Sequence, residues 1–215
     1  MRRAYLAAGL LAIGLVPLIG AVIVHATKAT HPRPPAPGQP RSPYRGGTPP
    51  PGLRAPAFEL RSYRGGIVRL RDLRGKVVLV TFLDTKCTEK CPIFASQIAA
   101  ALRLLPSSAR RQVVALAISV DPGVDSPASV RHFLRRRHAL GRLDFLLGSA
   151  KELRPIWRAF HIVPAADTGN ADIHSADARI FDRRGLWVST FHAGVDLTPG
   201  NLEHDLLAAL TRSRA

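Results

Sequence analysis

The sequence predicts an α/β domain, a central mixed sheet with helices on both faces. Three observations carry that reading. Two runs, Val77 to Leu83 and Val113 to Val120, are apolar almost throughout, as strands covered on both faces are. Each is followed by a segment whose apolar residues recur at helical spacing. A hairpin signal and one more helical segment close the chain. Strands alternating with helices, then a terminal hairpin, make a mixed rather than a purely antiparallel sheet.

The elements follow in order. Met1-Arg2-Arg3 precedes Ala4 to Val24, a run without a charge. Residues 1–26 therefore read as an N-terminal transmembrane signal-anchor. The two arginines put the N-terminus in the cytoplasm and the domain outside it, as a single-pass membrane protein. A cleaved signal is the competing reading, with Val24-His25-Ala26 as the cleavage site, but the uncharged run exceeds an ordinary signal core. A span starting this early leaves no room for a mitochondrial transit peptide, which points to a bacterial setting. Residues 27–52, with HPRPPAPGQPRSP and TPPPG, read as an extended Pro-rich linker. The folded domain is expected over 53–215.

Within it, Phe58 to Leu60 and Ile67 to Leu70 are short strand candidates around Arg64-Gly65-Gly66. The turn Leu73-Arg74-Gly75-Lys76 leads into the strand Val77–Leu83. A helix after Cys91 carries Phe94, Ile98, Leu102 and Leu105 on one face and ends near Leu105-Pro106. Val113 to Val120 is the next strand. Ser126-Pro127 supplies an N-cap and a first helical residue, continued by Val130, Phe133 and Leu134. Leu143 to Leu147 is a strand. Ser149-Ala150-Lys151-Glu152 is a capping box before Leu153, Ile156, Trp157 and Phe160. Arg179 to Asp182 and Leu186 to Phe191 form a hairpin around Arg183-Arg184-Gly185. Thr198-Pro199 opens a last helix with Leu202, Leu206, Leu207 and Leu210 on one face.

Composition bounds the function. A hydrophobic content of 46% supports a packed core. The balance is basic, 31 Lys+Arg against 15 Asp+Glu, but the cations are spread along the chain and no nucleic-acid-binding motif accompanies them. No nucleic acid is expected as a partner. An anionic lipid surface or an acidic protein suits that charge.

The chemistry centres on Cys87 and Cys91, the only two cysteines. They sit where a buried strand hands over to a helix. Free N–H groups and the positive end of the helix dipole favour thiolate there. Residues four apart share a helical face, so both sulfurs can point at one object: each other, as a disulfide, or a shared soft metal ion. A purely structural disulfide would close too short a loop to stabilise much. Cys87, nearer the helix start, is the expected nucleophile.

The spacing separates redox families. Thioredoxin-type enzymes have two residues between their cysteines; here there are three. Thiol peroxidases carry Pro-x-x-x-Thr-x-x-Cys, but Asp84 holds the threonine place and Val80 the proline place. Cys87-Thr88-Glu89-Lys90-Cys91-Pro92 instead resembles the SCO/SenC family. The segment Asp72 to Leu79 is similar to that family's lead-in strand. Ser119-Val120-Asp121-Pro122-Gly123-Val124-Asp125-Ser126, Leu147-Gly148-Ser149, and His174-Ser175 with Phe181-Asp182-Arg183-Arg184-Gly185 resemble its later blocks. The likeness covers about Leu53 to Arg212.

That resemblance implies a membrane-anchored, thioredoxin-like domain outside the cytoplasm. It implies copper, as Cu(I) or Cu(II), held by Cys87, Cys91 and His174, and a role in assembling the copper centre of cytochrome c oxidase. The implied partner is a copper-accepting oxidase subunit or another extracytoplasmic thiol protein. The donor set agrees in kind, because two thiolates and an imidazole suit soft copper. The same pair, as a redox-active dithiol, can reduce a partner's disulfide, so an extracytoplasmic thiol–disulfide oxidoreductase without stoichiometric copper is the alternative. A redox or copper sensor is a third reading.

Three departures from the family pattern stand out. Thr88-Glu89 replaces Pro-Asp between the cysteines, Lys86 and Lys90 flank them, and Ile173 precedes the histidine, with Asp172 one place earlier. His25, His31, His132, His138, His161, His192 and His204 read as surface or satisfied polar residues, His161 and His192 being the first substitutes for His174. Asp121 and Asp125 read as turn and cap residues. Trp157 and Trp187 read as packing.

Overall fold

A computed structural model describes residues 42–212. Its strands are β1 (Glu59–Ser62), β2 (Ile67–Arg69), β3 (Val77–Leu83), β4 (Val113–Ser119), β5 (Leu143–Leu147), β6 (Ala178–Phe181) and β7 (Trp187–Phe191). The helices are α1 (Lys90–Leu104), α2 (Ser107–Arg110), α3 (Pro127–Arg136), α4 (Ala150–Ala159), α5 (Ala165–Thr168) and α6 (Pro199–Arg212). The sheet order is β2-β1-β5-β4-β3-β6-β7. Strand β3 pairs parallel with β4, and β4 with β5; the other pairings are antiparallel. The sheet is thus mixed, as expected.

Every residue of β3 is buried, which is what a central strand covered on both faces requires. Alternate side chains feed two cores. Val77, Leu79 and Leu83 pack with α1, α3 and α6. Val78, Val80 and Phe82 pack with Leu153, Ile156 and Trp157 of α4 on the other face. The helix starts follow: Ser126 caps α3 as expected, where Ser129 completes a capping box that the sequence reading did not include, and Ser149 with Glu152 forms the expected box at α4.

Several expectations are corrected. The candidate strand at Ile67 to Leu70 ends at Arg69, and Leu70–Leu73 form a 3-10 turn. The short helices α2 and α5 carry no periodic stripe that a sequence window resolves. Leu207, expected on the apolar face of the last helix, is half-buried and packs against the edge of the core.

The linker expected over 27–52 ends earlier than its composition suggests, because residues 42–52 run along the domain. Gly47 bridges Thr190, and Arg54 bridges Leu186. The buried Asp205 carboxylate accepts hydrogen bonds from Arg45 N (2.8 Å), Gly46 N (3.0 Å) and Ser189 Oγ (2.6 Å). Gly46 is required at this seam, because a Cβ there would meet Ser189 Oγ and, at 2.7 Å, the Thr190 carbonyl. The anchor expected at 1–26 and the linker up to residue 41 lie outside the described residues. No helix among the described residues is long and apolar enough to cross a membrane.

Candidate metal centre

The loop Asp84–Glu89 connects β3 to α1 and carries the first cysteine; the first turn of α1 carries the second. Both are free thiols, buried at the edge of the α1 core. Cys87 Sγ accepts a hydrogen bond from Cys91 N at 3.3 Å. That N–H belongs to the first turn of α1, so the helix start stabilises negative charge on Cys87, as its place in the sequence predicts. Asp84 N donates to Cys91 Sγ at 3.4 Å.

His174 lies in the loop before β6, the strand paired with β3, and that pairing brings it to the thiols. Its Nε2 is 3.1 Å from Cys91 Sγ. Its Nδ1 lies 2.8 Å from the Ser175 carbonyl, so Nδ1–H donates there and Nε2 faces the sulfurs with its lone pair available. Cys87, Cys91 and His174 each offer one ligand atom, all within 4.8 Å of one another. His161 and His192 are exposed and outside this cluster.

The two thiols titrate in opposite directions. Cys87 is pushed down to about 5, chiefly by the hydrogen bond from the Cys91 thiol, with His174 and the Cys91 N–H adding and burial opposing. Cys91 is pushed far above the ordinary thiol range by burial and by its charged neighbour Cys87. For His174, burial favours the neutral ring, but the contacts with Cys87 and the Ser175 carbonyl outweigh it and raise the imidazole.

Acidic residues shape the loop. The Asp172 carboxylate turns to the backbone: it accepts from Thr88 N (2.7 Å) and Glu89 N (3.2 Å), capping the approach to α1. Those bonds, first that from Thr88, hold its carboxyl below the usual range. Asp121 is the turn residue expected, its Oδ1 accepting from Gly123 N at 2.9 Å. Asp125 is no helix cap. It is buried, accepting from Thr85 N at 2.9 Å and Ser119 Oγ at 2.6 Å, and burial raises its carboxyl to about 6. Sequence reasoning did not single out Asp84 as a site residue. It is fully buried; Oδ1 accepts from Lys86 N at 2.6 Å, while Oδ2 has no hydrogen-bond partner among the described residues. Its place beside the cysteines is visible in the sequence, but its burial is not.

A pocket of about 340 Å³ opens beside His174, between Lys90, Val163, Asp172 and Ile173. Val163 and Ile173 are exposed apolar residues at its rim.

Fold and site together define an α/β, thioredoxin-like domain with a dithiol–imidazole centre at the end of its central strand. The SCO1/SenC family model matches residues 48–208, and the chain belongs to that family. Among solved structures it is similar to Bradyrhizobium japonicum ScoI with copper bound: 29% identity over 74% of this chain and 100% of that one, TM-score 0.62. Yeast Sco1 with copper bound shares the fold at 22% identity, over 76% of this chain and 90% of that one, TM-score 0.60. An SCO2-like protein of Rickettsia typhi is 24% identical over 145 residues, 65% of this chain and 70% of that protein.

Proposed function

We propose that the domain binds one copper ion through Cys87, Cys91 and His174 Nε2 and passes it to a copper-accepting subunit of cytochrome c oxidase. The observation that carries this reading is the convergence of the three donors within 4.8 Å, with the imidazole oriented by its Nδ1–H bond to Ser175. Two sulfurs and one nitrogen form a soft set that favours Cu(I) and accommodates Cu(II). The copper-bound ScoI relative supports the choice of metal. Copper is cargo here, so the site must release it as well as hold it. The pocket beside His174 leaves room for an acceptor's ligand to approach. Binding displaces protons from Cys91 and from any charged His174, so affinity falls on acidification.

In this reading, residues 1–26 anchor the protein in a bacterial membrane and hold the domain outside the cytoplasm. The uncharged run Ala4 to Val24 behind Arg2-Arg3 supports that placement.

The unequal thiols favour a second activity at the same centre. Cys87, a thiolate at neutral pH, can attack a partner's disulfide, and Cys91 then resolves the mixed disulfide, leaving Cys87–Cys91 oxidised and the partner a dithiol. The test is copper titration of the reduced protein beside His174→Ala. One equivalent bound by the parent, with affinity at least about 100-fold lower in the variant, is the expected result for a lost ligand. Equal binding by both would overturn the ligand set. Retained disulfide reduction in His174→Ala, with no stoichiometric copper in the parent, would leave the reductase reading alone.

A further inference from the structure

At the opposite end of β3 from the thiols, a second cavity of about 140 Å³ lies between two turns. One turn precedes β3 and the other joins β6 to β7; Gly75 N donates to the Arg183 carbonyl at 3.0 Å, and Arg183 Nε donates to the Gly75 carbonyl at 2.8 Å. The rim is therefore tied by the backbone. Six of its fourteen lining residues are cations, Arg54, Arg71, Arg74, Lys76, Arg183 and Arg184, against 31 Lys+Arg in 215 residues overall. A basic composition alone does not produce that density. Leu70, Leu73, Val78 and Phe181 supply apolar surface.

Among the described residues the only acidic one lining the cavity is Asp182, and its charge is already engaged. Its carboxylate accepts from Arg184 N, Leu186 N and Arg184 Nε. Arg71 pairs with Asp72 outside the lining. The side chains of Arg74 and Lys76 have no hydrogen-bond or ion-pair partner among the described residues, and both are exposed. Unpaired cations around a small apolar recess match one ligand chemistry: an anionic head carrying a short apolar body.

We propose that this cavity binds a phosphate ester, its phosphoryl group on Arg74 and Lys76 and its apolar part on Leu70, Leu73 and Phe181. The site is separate from the copper centre, since the seven-residue strand between them spans about 20 Å. A lipid headgroup and a soluble phosphate ester both carry this chemistry.

The test uses full-length protein in phosphatidylcholine nanodiscs, titrated calorimetrically with inorganic phosphate and with hexyl phosphate. Hexyl phosphate is expected to bind about tenfold tighter than phosphate, because its methylenes leave water. The double variant Arg74→Gln/Lys76→Gln is expected to lose at least about tenfold in hexyl phosphate affinity, and to keep the parent's circular dichroism and thiol reactivity. The control Arg135→Gln/Arg136→Gln, on α3, is expected to bind as the parent does. Displacement of hexyl phosphate by phosphatidylglycerol added to the discs identifies a lipid headgroup as the source; no displacement identifies a soluble ester. Equal affinity for both probes, parent-like binding by the Arg74/Lys76 variant, or equal loss in the α3 control would overturn the proposal.

Discussion

Two aspartates follow two neighbouring strands, β3 and β6, at opposite ends of the sheet, and the protein treats them in opposite ways. Asp182 is buried with its carboxylate fully engaged: Oδ1 accepts from Arg184 N and Leu186 N, each at 2.9 Å, and Oδ2 from Arg184 Nε at 3.3 Å. Asp84 is more deeply buried, yet its Oδ2 has no hydrogen-bond partner among the described residues. One carboxylate is satisfied at both oxygens; the other is satisfied at Oδ1, by Lys86 N, and left open at Oδ2 beside the thiols. A buried polar group left without partners costs stability. Such a cost is concentrated where function requires it, so the same residue type marks a structural pole and a chemical pole.

The widest separation between the poles is expected from removing the satisfied carboxylate. Asp182→Ala strands two backbone N–H groups in the β6–β7 turn, and about 2 kcal/mol of stability is expected to be lost. Chemical denaturation measures it, with copper stoichiometry unchanged because the metal centre lies at the other end of the sheet. A loss below about 0.5 kcal/mol would break the comparison, since the turn would then not depend on its carboxylate.

The poles also differ in how much of them the sequence discloses. The strand β3, the cysteine pair, the N-cap at Ser126 and the capping box at Ser149 are legible because each is a local pattern: an apolar run, a spacing, a cap residue before proline, or a side chain three residues from its partner. His174 is legible only through family resemblance, since no spacing rule links it to the cysteines; the β3–β6 pairing joins them. Asp84 and Asp125 escape a sequence reading because burial of a loop carboxylate depends on how distant segments close over it. Residues 42–52 show a related limit. Their composition correctly forbids a helix, but an extended strap and an extended linker look alike until Asp205 is seen to cap Arg45 and Gly46.

The chemical pole should announce itself in pH dependence. With Cys87 pushed down to about 5, its alkylation by iodoacetamide is expected to be nearly flat from pH 6 to 8 and to fall about tenfold between pH 7 and 4. An ordinary thiol would slow about tenfold per unit throughout that range. Because the folded state favours the thiolate, this group adds stability as pH rises from about 5 towards the unfolded thiol range, and that contribution is lost as pH falls through 5. Peptide mapping assigns the modified residue. Faster modification of Cys91, or a rate still climbing tenfold per unit near pH 7, would remove the asymmetry on which the reductase activity depends.

The smallest expected effect has the opposite sign to that at Asp182. Asp84→Asn keeps an Oδ1 that can accept from Lys86 N, so the loop retains its turn. It removes a charge that burial disfavours and that repels Asp121 and the Cys87 thiolate, the causes that raise this carboxyl. The reduced, copper-free variant is expected to be about 1 kcal/mol more stable at pH 7. The sign follows from linkage: a carboxyl raised on folding penalises the fold above its folded pKa, and the penalty disappears as pH falls below its unfolded value. The gain should therefore shrink on acidification towards pH 4. Since the lost charge also faces the Cys87–Cys91–His174 cluster, the variant's affinity for Cu(II) is expected to fall relative to its affinity for Cu(I). A variant that is less stable than the parent at neutral pH would mean that Oδ2 has a partner in solution, and the two aspartates would then be alike.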